Sequence, residues 1–461
     1  MTGRAGLAIL IFGCVAALSG QTATPAKPAP KKTTKKKPAK KSKAKAKAKA
    51  LKVRRYPAPR VSVQTRTASL ERVSLQLDER PDPAIDRPGT LVPFFERLYR
   101  LSTGENQTAH ILHFGDSHTA SDDWTGVLRD LFQNRFGNGG AGFSFAGYPF
   151  KGYRRYDVHG GASKMWDAAG LRTGEGDGLF GLGGISIATE RAGQTIYLDA
   201  DCSSVELDYL QQPGGGRIEL SDNGATVKEA STEGAYAPGF LEYAGVAGHH
   251  RLEVRTVEQA PVRLFGWVTE NAKGVTYESM GINGAEAGLI QKWDEPMHAA
   301  YLKRRDPALI VLAYGTNEAG DAKWSEEGYL QTFSAILQRL RRAAPAASIL
   351  VVGPPDRFVR VKGKWKPYEA VDRIVAAQLE ACRENRCAYW NTRARMGAEG
   401  SMVNWVMAGL AQGDYVHFTS AGYQRLATVL FQDIMRQYDS YLKVRPELAS
   451  QATDEQTSQD R

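Results

Sequence analysis

Four short segments of this sequence contain the residue types that acyl transfer through a serine requires. Ser117 follows Gly115-Asp116, and Gly284 and Asn317 each lie in a segment with other small or polar residues. Asp414 precedes His417 by three positions. The chemistry needs a hydroxyl, a base, a group that orients the base, and donors for an oxyanion. Each segment alone also fits a simple turn or helix cap, but their joint occurrence favours an esterase or acyltransferase site.

The spacing of these residues predicts a role for each of them. A spacing of three positions from Asp414 to His417 allows the carboxylate to accept a hydrogen bond from one imidazole nitrogen, so that the other nitrogen faces Ser117. A glycine lets the backbone approach a substrate, and an amide side chain donates hydrogen bonds. We therefore predict Ser117, Asp414 and His417 as catalytic groups, and a glycine N–H of residues 279–285 and the Asn317 amide as candidate donors to an oxyanion.

Apolar runs ahead of these segments predict the strands that position them: Ala109–Phe114, Gly274–Glu278, Pro307–Ala313, Ser348–Val352 and Ala388–Trp390. Helical patterns alternate with them, at Glu286–Trp293, Gly328–Arg342, Ala370–Cys382 and Thr419–Tyr441. Strands that alternate with helices indicate a parallel sheet covered on both faces, and ligand sites gather at the carboxyl ends of such strands. The fold class is therefore α/β, with residues 446–461 as a loose polar tail.

Residues 156–271 have a different pattern, because short alternating runs there are separated by Gly and Pro. Examples are Thr195–Leu198, Ser204–Tyr209, Arg217–Leu220, His250–Val257 and Val262–Val268. This pattern predicts an inserted all-β domain of the sandwich type. The glycine-rich stretch at Gly176–Gly181 imitates a dinucleotide-binding fingerprint, but a strand does not precede it and a helix does not follow it. We interpret it as a loop.

Other hydrolase signatures are missing from the sequence. It has no Gly-x-Ser-x-Gly elbow at a strand end and no His-Glu-x-x-His or comparable metal spacing. The first absence disfavours an ordinary α/β-hydrolase, and the second disfavours a metallohydrolase. We expect neither a metal nor a cofactor.

The first sixty residues predict export and a disordered tail. A basic start, a short apolar run and small residues make 1–21 a signal peptide, although Cys14 faintly resembles a lipidation site. Residues 22–60 are rich in Lys, Ala and Pro, and 27–55 contain fifteen Lys or Arg without an acid. Since the net charge of the chain is +10, the remainder carries −5.

The basic tail, residues 27–55, is either a solvated spacer or a tether to anionic envelope polymer or lipid headgroups. The export signal argues against nucleic acid as a partner, and no membrane span is expected in the mature chain. The localisation that follows is the periplasm or cell envelope. In that compartment Cys382 and Cys387 either pair or stay as buried thiols.

The four segments resemble the SGNH, or GDSL-like, hydrolase family, whose serine, glycine, asparagine and histidine correspond to Ser117, Gly284, Asn317 and His417. The segments GDSHTA, GINGAEA, YGTNEAG and VHFTSAGY are similar to those of bacterial peptidoglycan O-acetylesterases, which also carry a β-sandwich like a carbohydrate-binding module. The resemblance covers 105–155 and 272–443. It implies a three-layer α/β/α fold with a five-stranded parallel sheet, and it places Asp414 in the triad. It also implies an oxyanion hole made of the Ser117 N–H, the Gly284 N–H and the Asn317 side chain.

The function that this resemblance implies is hydrolysis of an O-acetyl ester on a carbohydrate, most specifically the 6-O-acetyl group of N-acetylmuramic acid in peptidoglycan. The alternatives are an acetylesterase of another polysaccharide, an O-acetyltransferase that uses the same serine, and a binding protein on a decayed hydrolase scaffold. Trp365 and Tyr368 lie where they either stack on a sugar ring or pack on the domain. His118 either supports the site from behind or faces solvent.

Overall fold

The computed structural model describes residues 59–459 apart from 106, 173–174 and 321–323, with side chains described up to residue 446. The signal peptide at 1–21, Cys14 and the basic tail lie outside the described residues. The secondary-structure elements are α1 Val63–Asp78, α2 Val92–Thr103, β1 Thr108–Gly115, α3 Ser117–Ala120, α4 Thr125–Phe136, β2 Gly142–Phe145, β3 His159–Ala162, β4 Asp167–Ala169, β5 Ser186–Thr189, β6 Thr195–Gln211, β7 Arg217–Asp222, β8 Ala225–Ser231, β9 Ala237–Thr256, β10 Val262–Glu270, β11 Gly274–Gly281, α5 Glu295–Arg305, β12 Pro307–Ala313, α6 Glu326–Ala343, β13 Ser348–Val352, β14 Phe358–Val361, β15 Lys364–Pro367, α7 Ala370–Glu384, β16 Ala388–Trp390, α8 Thr392–Arg395, α9 Met402–Ala408 and α10 Ser420–Gln459.

A five-stranded parallel sheet with the order β11-β1-β12-β13-β16 forms the centre of the α/β part. Successive strand residues point to opposite faces, so Ile111 and Leu112 enter two different hydrophobic clusters. Helices cover both faces, and almost every strand residue is buried. The predicted three-layer α/β/α fold is thereby confirmed.

The carboxyl ends of the central strands meet at one edge of this sheet. Gly115 at the end of β1 pairs in register with Gly281 of β11 and with Ala313 of β12. The loops that follow these three strands therefore begin side by side. These loops carry the residues that the sequence predicts to be functional.

The β-rich part is one nine-stranded antiparallel sheet with a hydrophobic cluster of its own. It begins with β2 at Gly142–Phe145, which pairs with β10, so this sheet starts ahead of residue 156. The two runs predicted at Thr195–Leu198 and Ser204–Tyr209 are one strand, β6, because pairing with β9 continues through the polar residues between them.

Three further observations concern individual predictions. Helix α10 runs from Ser420 to Gln459, beyond its predicted end at Tyr441 and through the segment predicted to be loose; its last turns are rich in helix-forming Ala, Glu and Gln. Cys382 and Cys387 are buried, unpaired thiols. Within the described part of the chain, no helix is both long and apolar enough to span a bilayer.

Candidate active site

Ser117 is the first residue of the short helix α3, directly after β1. Asp116 caps this helix, since its Oδ1 accepts the His118 N–H at 2.9 Å. The turn is tightly packed: a Cβ at Gly281, on the neighbouring strand, would lie 2.2 Å from the Ala120 backbone nitrogen. A residue without a side chain is therefore needed at 281 to let β11 approach the serine turn.

The loop before α10 holds Asp414 and His417 in a fixed arrangement. Asp414 Oδ1 accepts the backbone N–H groups of Val416 and His417, each at 3.0 Å. Tyr415 takes a left-handed conformation with φ 56°. These contacts leave the second carboxylate oxygen of Asp414 free to face the imidazole.

The three predicted catalytic residues form a continuous hydrogen-bonded chain. Ser117 Oγ lies 3.0 Å from His417 Nε2, and Asp414 Oδ2 lies 2.8 Å from His417 Nδ1. Burial lowers the pKa of His417, but the hydrogen bond and charge of Asp414 outweigh it, so that the pKa is raised above its usual value. The pKa of Asp414 is lowered, because its bonds to His417 outweigh the effect of burial. This geometry suits a carboxylate that orients a base, and a base that activates a serine.

The predicted oxyanion donors lie on the two neighbouring loops. Ile282 N–H donates to Gly115 O at 3.0 Å, which ties the glycine loop to the serine turn. Gly284 follows with φ +77°, a conformation that L side chains rarely adopt. Asn317 Nδ2 donates to Ala285 O at 2.9 Å and lies 3.4 Å from Asp116 Oδ2. Both amide hydrogens therefore have acceptors, and a substrate oxyanion would have to replace the longer and weaker bond, the one to Asp116.

Two buried carboxyl groups that the sequence did not single out hold these loops together. Glu318 accepts the Ala287 N–H at 2.8 Å and the Gly315 N–H at 3.0 Å, and so joins the glycine loop to the asparagine loop. Burial raises the pKa of Glu318 to about 8 and that of Asp116 to about 6. The cap at Asp116 is detectable from residue type, whereas a contact such as that of Glu318 with Ala287 leaves no trace in one sequence.

Trp365 and Tyr368 lie on and just after the small hairpin of β14 and β15. Trp365 packs on Tyr415 with ring centroids 4.9 Å apart, beside Asp414. The Arg357 guanidinium lies over the Tyr368 ring, 5.3 Å from its centroid. Both aromatic residues thus support loops of the candidate site, and stacking on a sugar stays a prediction.

His118 lies behind the site and does not face solvent. It is buried, its Nδ1 is 2.8 Å from the Tyr423 hydroxyl, and its ring centroid is 5.2 Å from that of His417. Burial holds the pKa of His118 well below its usual value. A neutral ring therefore packs against the candidate base.

We expect Asn317→Ala to reduce kcat on a small aryl acetate by about 10²–10³, the usual effect of losing one oxyanion donor. KM should change little, because the lost hydrogen bond forms mainly in the transition state. The control is Asn391→Ala, which removes an amide that caps α8 through the Ala394 N–H. A loss below tenfold for Asn317→Ala, matching the control, would make Asn317 a helix cap only.

We expect kcat/KM to fall as the pH falls through an apparent pKa above the ordinary imidazole value of about 6.5. The base must be neutral, and Asp414 raises the pKa of His417, so activity is lost at a higher pH than for a free imidazole. The charges of Asp116 and Arg357 also act on His417. Burial raises the pKa of Asp116 to about 6, so its effect on His417 weakens as this carboxylate is protonated. A pH profile with a neutral aryl acetate measures this limb, and an apparent pKa below 6 would contradict the arrangement.

Comparisons with known proteins agree with this geometry. The model of the GDSL-like lipase/acylhydrolase family matches residues 232–425. A solved structure described as "Peptidoglycan O-acetylesterase in action, 5 min" is 28% identical with a TM-score of 0.65, over 76% of this chain and 96% of that chain. No curated protein sequence matches the chain.

Two solved family two carbohydrate esterases are much more distant. The one from Clostridium thermocellum, with cellohexaose, is 12% identical with a TM-score of 0.28, over 55% of this chain and 94% of that chain. The one from Cellvibrio japonicus is 12% identical with a TM-score of 0.24, over 61% of this chain and 98% of that chain. These scores are too low to support an inference.

The family-model match includes Gly284, Asn317, Asp414 and His417 but ends short of Ser117. Ser117 is linked to this set by its 3.0 Å contact with His417 Nε2 and by its position just after β1, which pairs with both β11 and β12. The similar solved structure covers 76% of this chain, which is more than the family model matches. Residues 232–425 are therefore similar to the GDSL-like lipase/acylhydrolase family, and the five-stranded parallel sheet with helices on both faces matches the SGNH α/β hydrolase fold.

Proposed function

We propose that this protein is an exported serine esterase that removes O-acetyl groups from a cell-wall carbohydrate through an acetyl-Ser117 intermediate. The observation that carries the proposal is the hydrogen-bonded chain from Ser117 through His417 to Asp414. The similar solved structure is named as a peptidoglycan O-acetylesterase, which supports an acetylated glycan as the substrate. The favoured ester is the 6-O-acetyl group of N-acetylmuramic acid.

In the first half of the proposed reaction, Ser117 Oγ attacks the acetyl carbonyl carbon while His417 Nε2 takes the hydroxyl proton. The carbonyl oxygen becomes an oxyanion and accepts hydrogen bonds from the Ser117 N–H, the Gly284 N–H and the Asn317 amide. The bond to the sugar oxygen then breaks, and His417 returns the proton to that oxygen. The products of this half are a sugar alcohol and acetyl-Ser117.

In the second half, a water molecule attacks the acetyl-Ser117 carbonyl carbon, and His417 takes a proton from it. The same donors stabilise the second oxyanion. The bond from Ser117 Oγ breaks, Oγ recovers the proton from His417, and acetate leaves. Asp414 stays ionised throughout and stabilises the imidazolium form of His417.

Release of acetate tests the proposal. Purified O-acetylated peptidoglycan and a de-O-acetylated sample are incubated with the enzyme, and free acetate is measured with and without a soluble glycan acceptor. We expect acetate from the acetylated sample alone, at a rate that the acceptor does not change. Acetyl groups that appear on the acceptor instead of in water would identify an acetyltransferase.

We further propose that residues 105–155 and 272–443 form the hydrolase domain and 156–271 an inserted domain, whose sheet also includes β2 from the first hydrolase segment. Residues 1–21 direct export, which places the enzyme in the periplasm or cell envelope. Secretion of a reporter protein fused to residues 1–21, compared with the unfused reporter, tests that part. Retention of the fused reporter inside the cell would refute export.

The basic tail provides a separate prediction. Deletion of 27–55 should leave turnover of a small aryl acetate unchanged, since the candidate site lies elsewhere in the chain. The deletion should weaken retention on envelope fragments at low salt, because fifteen cations without acids bind anionic polymer in a salt-dependent manner. Co-sedimentation across a salt series measures this. Equal retention with and without the tail would favour a plain spacer.

A further inference from the structure

Arg357 is a half-buried arginine beside the candidate site, in the loop that follows β13. One terminal nitrogen donates to Thr316 O, and the guanidinium lies over the Tyr368 ring. Its Nε is buried and has no hydrogen-bond partner among the described residues. No carboxylate of the described residues forms an ion pair with it, which leaves part of its donor set unused.

Most fully buried arginines of the described residues, in contrast, have a carboxylate partner. Five, each with a side chain at most 7% exposed, are ion-paired: Arg129 with Asp122, Arg155 with Asp157, Arg305 with Glu278, Arg393 with Asp356 and Arg395 with Asp433. Arg339 also has no carboxylate among the described residues, but it lies on α6 and donates to Trp293 O. Arg357, unlike Arg339, borders the candidate site.

The position of Arg357 ties it to the reaction centre. Its hydrogen-bond acceptor, Thr316, directly precedes Asn317, and its charge acts on both His417 and Asp414. Burial of an arginine without a counter-ion is costly, so a protein that keeps one next to a reactive site commonly uses it for binding. The missing counter-ion is therefore best supplied by the substrate.

We propose that Arg357 binds a carboxylate on the substrate and makes the enzyme selective for acetylated sugars with an acidic substituent. The planar donors of a guanidinium match the two oxygens of a carboxylate, and the Nε–H of Arg357 has no partner among the described residues. The inference rests on the proposed function, and it narrows the substrate class to acidic sugars. The lactyl ether of N-acetylmuramic acid is one source of this carboxylate, and a peptide attached to the lactyl group is the other.

Matched substrates test the proposal. The first is an O-acetylated muramic acid disaccharide with a free lactyl carboxylate, and the second is its neutral methylamide. Wild-type enzyme should favour the acid by about tenfold to a hundredfold in kcat/KM, the usual effect of a hydrogen bond to a charged group. Arg357→Gln should lower kcat/KM for the acid much more than for the amide and reduce the preference to about threefold or less.

Two further variants keep the test interpretable. Arg357→Lys retains the charge without the planar donors and should keep part of the preference, even if Arg357→Gln folds poorly. Arg360→Gln removes an exposed charge from the adjacent hairpin and should leave the preference unchanged. A preference for the acid that survives both Arg357 substitutions would overturn the proposal.

The remaining outcomes distinguish failure of the Arg357 proposal from failure of the proposed esterase function. Equal wild-type activity on the acid and the amide refutes carboxylate recognition on the lactyl group and leaves the esterase function standing. A third pair, in which the lactyl group carries a dipeptide with a free or an amidated carboxylate, then assigns any preference to the peptide. Equal rates on this pair as well overturn the inference, and cleavage of an aryl acetate without cleavage of any acetylated sugar overturns the proposed function itself.

Discussion

Ser117→Ala is expected to abolish ester hydrolysis while the fold is kept. Ser117 is the only hydroxyl that the described residues place on His417 Nε2, at 3.0 Å. Removal of a triad serine in a related chemistry costs about 10⁶ in kcat, so turnover should fall to the background set by the remaining groups. The measurement is kcat on an aryl acetate, together with labelling by a serine-reactive fluorophosphonate and mass spectrometry of the labelled peptide.

The matched control for this change is Ser420→Ala. Ser420 begins α10 close to His417, but its hydroxyl donates to Asp123 at 2.8 Å and does not reach the imidazole. We expect near wild-type turnover and unchanged labelling of Ser117 in this variant. Near wild-type turnover in Ser117→Ala would instead remove the basis for the whole site, including the acyl-enzyme.

The strands of the parallel sheet could be predicted from sequence because their signal is local. Pro307–Ala313 and Ser348–Val352 are short and largely apolar runs, and the structure gives them the same bounds. β11 extends to Gly281 instead of ending at Glu278, since the Ser279–Gly281 segment still pairs with β1. Pairing with a distant strand decided that boundary, and such pairing is not encoded in the residue types alone.

The arrangement of the candidate catalytic residues could be predicted in part, because two of them are close together in the sequence. Asp414 and His417 are neighbours in sequence, so their spacing already restricts their geometry. Glu318 and Arg357 act through contacts with Ala287 and Thr316 that only the folded loops create. In the sequence, a glutamate at 318 or an arginine at 357 looks like an ordinary surface charge. The residue type alone therefore does not identify either one as a support for the site.

Asp414→Asn is expected to reduce kcat by about 10⁴, as in other triads. Asp414 Oδ1 is held by the N–H groups of Val416 and His417, so the oxygen of an asparagine should occupy that place. Its NH₂ group would then face His417 Nδ1, where a carboxylate oxygen now lies at 2.8 Å. An N–H donor there stabilises the tautomer with its hydrogen on Nε2, and this tautomer cannot accept the Ser117 proton.

The pH profile adds a second readout, which separates this mechanism from simple damage to the loop. Without the carboxylate, burial of His417 is no longer offset, so the pKa of the imidazole should fall and the acid limb of kcat/KM should move to lower pH. Asp123→Asn is the control, since it removes a nearby carboxylate that contacts Ser420 and leaves the imidazole contact intact. A loss of less than tenfold in Asp414→Asn, with the acid limb unmoved, would show that Asp414 does not orient His417.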